Sequence, residues 1–207
     1  MISVDMIPVP HSRLVAYRDD GPLSRGMGMI VAGQLPPLPP ALAGAFVTAV
    51  LLLVGVAGTE GLAVFAPAVA LLLAGPGSSH AHDGRLDWLV PPILRLTEYV
   101  FVAAVGFAHD VPPFVIVLVL GAMAFHHYDV VYRLRQKVYP PPWLATLGLG
   151  WEGRMLLVAL AGLAGMVTPV YLLLTAYLWG LFAWESLTCW LAAPRTGLDA
   201  ADLGAED

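Results

Sequence analysis

Pro113-Phe114-Val115-Ile116-Val117-Leu118-Val119-Leu120-Gly121-Ala122-Met123-Ala124-Phe125, followed at once by His126-His127-Tyr128-Asp129-Val130-Val131-Tyr132-Arg133, decides how the rest of the chain is read. The first part is a nearly pure apolar run of membrane-span character. The second part has the wrong chemistry for a lipid-facing segment. Ionisable side chains inside a span are costly, so they face a bundle interior, a partner or a wet cavity. On a helix His126, Asp129 and Arg133 fall at i, i+3 and i+7, which is one stripe. A base, an acid and a cation on one face, near the end of a span, read as a site.

The composition agrees. The chain is 58% hydrophobic and 12% charged, with a mean hydropathy of +0.77. That points to an integral membrane protein and away from a soluble domain. The single cysteine, Cys189, excludes an intramolecular disulfide framework and reads as helix packing. No cleavable signal is expected in Met1 to Gln34. Hydropathy predicts an all-α bundle of about six transmembrane helices: roughly Leu38–Val56, Gly61–Ala74, Trp88–Ala108, Pro113–Tyr132, Gly153–Met166 and Pro169–Leu191. Three regions follow: an N-terminal interfacial segment (1–35), the transmembrane domain (36–193) and a disordered acidic tail (194–207). Arg13, Arg18, Arg25, Arg85, Arg133, Arg135, Lys137, Arg154 and Arg195 lie outside or at the ends of these spans, all on one side, and only Arg95 lies well inside one. The positive-inside rule makes that side cytoplasmic, with both termini inside, in a multi-pass protein of the inner (plasma) membrane.

Given this topology the polar residues gather near one membrane face. The loop after the second span reads Ser78-Ser79-His80-Ala81-His82-Asp83-Gly84-Arg85-Leu86-Asp87-Trp88. A third span starting near Asp87 places Asp87 and Glu98 on one face, because eleven residues make about three turns. Asp83, Asp87, Glu98 and Asp129 are oxygen donors suited to Mg²⁺ or Mn²⁺. Arg85, Arg133 and Arg154 suit a substrate phosphate, which a guanidinium grips as a fork. His126 or His127 is a candidate general base, His126 being on the stripe, with Asp129 and Asp87 as the other catalytic candidates. Against this stand structural readings: an Asp129–Arg133 ion pair, an Arg95–Glu98 pair fixing helix register, a lone Glu185 hydrogen bonder, and solvated His80 and His82 in a Ser/Gly loop.

The strings Tyr17-Arg18-Asp19-Asp20-Gly21-Pro22-Leu23-Ser24-Arg25, Leu35-Pro36-Pro37-Leu38-Pro39-Pro40, His82-Asp83-Gly84-Arg85-Leu86-Asp87-Trp88-Leu89-Val90-Pro91, Glu98-Tyr99, His127-Tyr128-Asp129, Tyr132-Arg133 and Gly150-Trp151-Glu152-Gly153-Arg154 resemble an uncharacterised membrane domain of high-GC bacteria. That domain is found downstream of a nucleotidyltransferase and a CDP-alcohol phosphotransferase in one polypeptide. The resemblance covers nearly the whole chain and carries no established activity. A weaker resemblance is to the CDP-alcohol phosphotransferases themselves, which have a surface helix, six spans and an active site open to the cytoplasm. The chain departs from their signature. The second span ends Leu73-Ala74-Gly75-Pro76 without a carboxylate, and Asp87 has no acidic partner four residues on. Their two-metal site is therefore not carried over intact.

The sequence reading is a membrane-embedded enzyme, a transferase or phosphatase acting on a phosphorylated lipid or alcohol at the cytoplasmic interface. The alternatives are a non-catalytic partner of a CDP-alcohol phosphotransferase and a small-anion transporter. The implied partners are membrane lipid, a nucleotide-activated or phosphorylated alcohol, and a second copy of the chain or a CDP-alcohol enzyme. No nucleic acid is expected.

Overall fold

In the computed structural model, which describes residues 13–56 and 61–192, the chain is an all-α bundle, with no strand among the described residues. The disordered-tail expectation for 194–207 lies outside the described residues. Two short helices come first, α1 (Arg13–Tyr17) and α2 (Pro22–Val31). Then follow α3 (Leu38–Val56), α4 (Ala66–Ala74), α5 (Val90–Ala108), α6 (Pro113–Arg135), α7 (Pro142–Leu147), α8 (Gly150–Leu163) and α9 (Val167–Ala192). Among the described residues, five segments are apolar and long enough to cross a membrane: Leu38–Gly55, Asp87–Ala108, Pro113–Arg135, Pro142–Leu163 and Val167–Leu191. The sixth, Ala63–Ser79, is shorter: 3₁₀ turns flank α4 at Ala63–Phe65 and Gly75–Ser79.

Prolines mark the starts, as their fixed φ and missing N–H allow: Pro91 in α5, Pro113 in α6 and Pro142 in α7. The third span begins differently from the sequence expectation. Asp87–Leu89 is a 3₁₀ turn, and α5 proper starts only at Val90. In the middle of the bundle small residues let backbones approach, as membrane helices require. Gly44 of α3 faces Ala70 of α4, where an added Cβ would sit 3.5 Å from the Ala70 Cα. The core runs through Phe101, Val119, Met123, Met155, Tyr171 and Leu178, all buried. Aromatic donors fasten α9 to its neighbours: Tyr171 Oη donates to the Val102 carbonyl at 2.5 Å, and Trp179 Nε1 to the Leu118 carbonyl at 3.0 Å.

One end of the bundle holds nearly all the charge. There the stretch Arg18-Asp19-Asp20-Gly21, the link between α1 and α2, is buried rather than spread on a surface. It docks on the start of α8 by reciprocal caps. Trp151 N–H donates to the Asp19 carbonyl at 3.1 Å. In return the Glu152 carboxylate accepts from Gly21 N–H and Ser24 N–H, both at 3.0 Å, which satisfies free donors at the start of α2. The outer face of α2 shows Leu23, Met29 and Ile30, all exposed, while Ser24 and Gly28 pack inward on the Gly75–Ser79 turn.

This docking needs Gly150. Its φ is +61°, and an added Cβ would run into the Gly21 backbone. We expect Gly150→Ala to cost about 2 kcal/mol through strain and clash. Gly26, mid-helix in α2 with open space around its Cα, should instead tolerate alanine or gain from it. Thermal unfolding in detergent of the two variants checks the contrast; equal Tm values would contradict the docking.

Candidate functional site

Asp19 is the centre of the polar end. Its backbone sits at φ +54°, in the left-handed region that Asp adopts more readily than most residues. Its Oδ1 lies 3.3 Å from His126 Nε2. Its Oδ2 lies 3.2 Å from His127 Nε2 and 2.6 Å from Arg154 Nη2. Burial alone would raise this carboxyl, but the Arg154 guanidinium and the two imidazoles outweigh it and hold the group well below the usual carboxylate range. An ionised carboxylate can only accept, so both histidines face it with Nε2–H. His127 then takes the Tyr99 hydroxyl proton donor on Nδ1, at 2.7 Å. His126 stacks on Phe182 at a centroid distance of 4.0 Å, and its Nδ1 has no partner among the described residues.

Behind Asp19 the charges are closed in pairs. Arg154 Nε donates to Glu98 Oε1 at 2.5 Å, Nη2 also reaches Glu98 Oε2 at 3.2 Å, and Nη1 donates to the Gly148 carbonyl at 2.8 Å. Arg95 turns from Glu98 and donates to the Tyr17 carbonyl at 2.7 Å, so no Arg95–Glu98 pair forms. Arg18 pairs with Asp20 at 2.6 Å and donates to the Ala74 carbonyl at 3.0 Å. Trp151 Nε1 donates to Asp20 Oδ1 at 2.9 Å.

Beside this lattice lies a cavity of about 520 Å³. Its polar lining is Asp19, Asp20, Arg25, Ser78, His126 and Tyr139. Its apolar lining comes from α1, from Val130 of α6, from the prolines 140–142 and from Leu144 and Ala145 of α7. Arg25 is exposed, and no ion pair engages it among the described residues. The arrangement suits an amphiphile: an apolar wall above a floor that holds a carboxylate-oriented imidazole and a free guanidinium.

The residues named from sequence are distributed differently from the expectation. His126 lines the cavity. Asp129 and Arg133 do not; they turn to α9 instead. Arg133 forms a two-pronged bond to Glu185 at 2.7 Å on each oxygen and meets Asp129 at 2.5 Å. Asp129 also accepts from Ser186 and Trp190, both at 3.1 Å. The stripe on α6 is thus split, with its last two members clasping α9, and Glu185 is part of that clasp rather than a lone hydrogen bonder. Arg154 is fully buried and has its fork occupied by Glu98, Asp19 and Gly148, so it is not open to a phosphate. Arg85 is exposed on the loop and is not part of the cavity lining.

The four carboxylates assigned to Mg²⁺ or Mn²⁺ do not converge. Glu98 is bound to Arg154 and Asp129 to Arg133. Asp83 and Asp87 group with His80, their ligand atoms within 4.8 Å of one another. Asp87 already accepts from Gly84 N–H at 3.0 Å, and Asp83 is exposed, which is an ordinary loop arrangement. Asp83, Asp87, Glu98 and Asp129 therefore do not form a single four-carboxylate centre. His82, read from sequence as solvated, is buried, with φ +56°. Its Nδ1–H donates to the His80 carbonyl at 2.5 Å, and Nε2 accepts from Arg18 Nη1 at 3.3 Å.

Sequence reasoning missed Arg18, Asp19 and Asp20 as site residues. The signal available was a tight run of three charges ahead of Gly21 and Pro22, where a short leader has no other reason to concentrate them. A family model described as a family of unknown function, DUF5941, matches residues 10–205. The chain belongs to that family. No curated protein and no solved structure matches it. The matched region includes Asp19 and its partners His126 and Arg154.

Burial, opposed in part by the His80 carbonyl, pulls the His82 imidazole below its ordinary value of 6.5, and Arg18 pulls the same way. A depressed histidine stabilises the fold while it is neutral. That contribution is complete above pH 6.5 and is lost as pH falls below it, because the unfolded chain takes up the proton first. Thermal unfolding should therefore weaken from roughly pH 7.5 to 5.5 in the wild type, and less so in His82→Asn. Parallel curves for the two would contradict the buried role of His82.

Proposed function

We propose that this is a membrane-embedded enzyme acting on a phosphorylated lipid or alcohol at the polar end of the bundle. The observation that supports it is the cavity beside the Asp19–His126 pair, which joins an apolar wall to an oriented imidazole and to the Arg25 guanidinium, unpaired among the described residues. His126 is the general base. As the hydroxyl oxygen of an alcohol or water attacks phosphorus, its proton passes to Nδ1, and the bond from phosphorus to the leaving oxygen breaks. Arg25 takes the phosphate oxygens, in place of Arg133 and Arg154. The reading includes no metal step, since Glu98 and Asp129 are bound to arginines and stand apart from the Asp83–Asp87 group. The distribution of Lys and Arg supports a cytoplasmic polar end, both termini inside, in the inner (plasma) membrane.

A second reading is a non-catalytic membrane partner of a CDP-alcohol phosphotransferase. It is favoured by the closure of Arg133 and Arg154 on carboxylates of the chain itself. The two separate on turnover. Full-length protein in lipid nanodiscs is offered CDP-diacylglycerol or phosphatidate, with glycerol or water as acceptor, and release of CMP or inorganic phosphate is followed. The enzyme reading expects release that falls about 10²–10⁴-fold in kcat in His126→Gln. Arg25→Ala should raise KM. Release no greater than from empty nanodiscs, with every donor, would overturn the enzyme reading and leave the partner reading.

A further inference from the structure

The two oxygens of Asp19 are not equivalent. Oδ1 accepts from one donor, His126 Nε2–H. Oδ2 accepts from two, His127 Nε2–H and Arg154 Nη2. Neither imidazole can turn its lone pair to this carboxylate without setting two acceptors against each other inside a buried site. The Tyr99 hydroxyl closes the far end, because it donates to His127 Nδ1 at 2.7 Å. The chain Tyr99–His127–Asp19–His126 therefore has one consistent direction of donation.

We infer that Asp19 is a positioning residue that keeps His126 in the Nε2–H form, so that Nδ1 carries the lone pair in the cavity-lining imidazole. The catalytic consequence rests on the general-base reading above; the tautomer itself does not. The asymmetry makes the inference sharp for Asp19→Asn. An amide has one accepting oxygen and one donating nitrogen. Arg154 and His127 both present donors to the Oδ2 position, so the oxygen settles there and the NH₂ faces His126. His126 must then accept through Nε2 and carry its proton on Nδ1. Asparagine has nearly the same shape as aspartate, and it tolerates the left-handed backbone at residue 19. The bond to His127 survives, so only one of the two histidines switches.

The experiment is nitrogen NMR of the full chain in nanodiscs, with ¹⁵N-labelled histidine. Signals are assigned by loss in His126→Gln and in His127→Gln. In the wild type, both rings should show a protonated Nε2 and a bare Nδ1. In Asp19→Asn, His126 should invert while His127 stays. A wild-type His126 carrying its proton on Nδ1, or doubly protonated, would overturn the inference. So would a His126 that does not change in Asp19→Asn. If that variant does not fold, the wild-type spectrum alone still decides. Turnover separates the inference from the reading it serves. If both hold, kcat in Asp19→Asn falls about 100-fold or more, with KM unchanged. Inversion with undiminished turnover removes His126 as the base and leaves the positioning geometry standing. Inversion in a protein with no turnover on any donor removes only the enzyme reading.

Discussion

A carboxylate held inside an apolar bundle is the constraint on which the polar end depends. Asp19 enters on the link between two short helices and meets Arg154, His126 and His127, each on a long apolar helix. An uncompensated charge there would cost several kcal/mol. Compensation fixes where α6 and α8 stand relative to the link. Removing one partner would strand the others, so these contacts act as a unit. The return on this arrangement is specificity more than stability: a buried ionic lattice has few alternative packings, whereas apolar helices in lipid have many.

The same logic explains two separate arginine-centred clusters among the described residues. The first ties the N-terminal link to α5, α6 and α8 through Arg18, Asp19, Arg95, Glu98 and Arg154. The second ties α6 to α9 through Asp129, Arg133, Glu185 and Ser186. Only the first borders the cavity. It places against an apolar wall a histidine ring nitrogen and a guanidinium that have no partner among the described residues. In the second cluster each carboxylate is met by Arg133, and Asp129 further by a hydroxyl and an indole.

The long spans were legible because burial in lipid leaves a direct mark on composition. Leu38–Val56 and Pro113–Arg135 are readable as apolar runs with prolines at their starts. His126 was legible for the complementary reason, as an ionisable group where only apolar ones belong. The partners of each charge were not. A sequence shows Arg133 and Arg154 as cations but not that Glu185 and Glu98, on other helices, already occupy them. Spacing favoured Asp129 with His126 because they share a stripe; the small rotation between them is enough to send one to the cavity and the other to α9. Asp19 was least legible of all. It stands in a short charged leader, and its burial depends on contacts more than a hundred residues away in sequence.

That separation bears on how the chain is made. The link from Arg18 to Gly21 emerges from the ribosome early, whereas Trp151, Glu152 and Arg154 follow only after four apolar helices have been synthesised. Until then Glu98 and Asp19 lie in an immature bundle without the Arg154 guanidinium that both share. Assembly thus ends on a return, in which the segment ahead of the first span closes on a late helix. A chain interrupted before α8 therefore leaves two carboxylates, on the link and on α5, without the one cation that joins them.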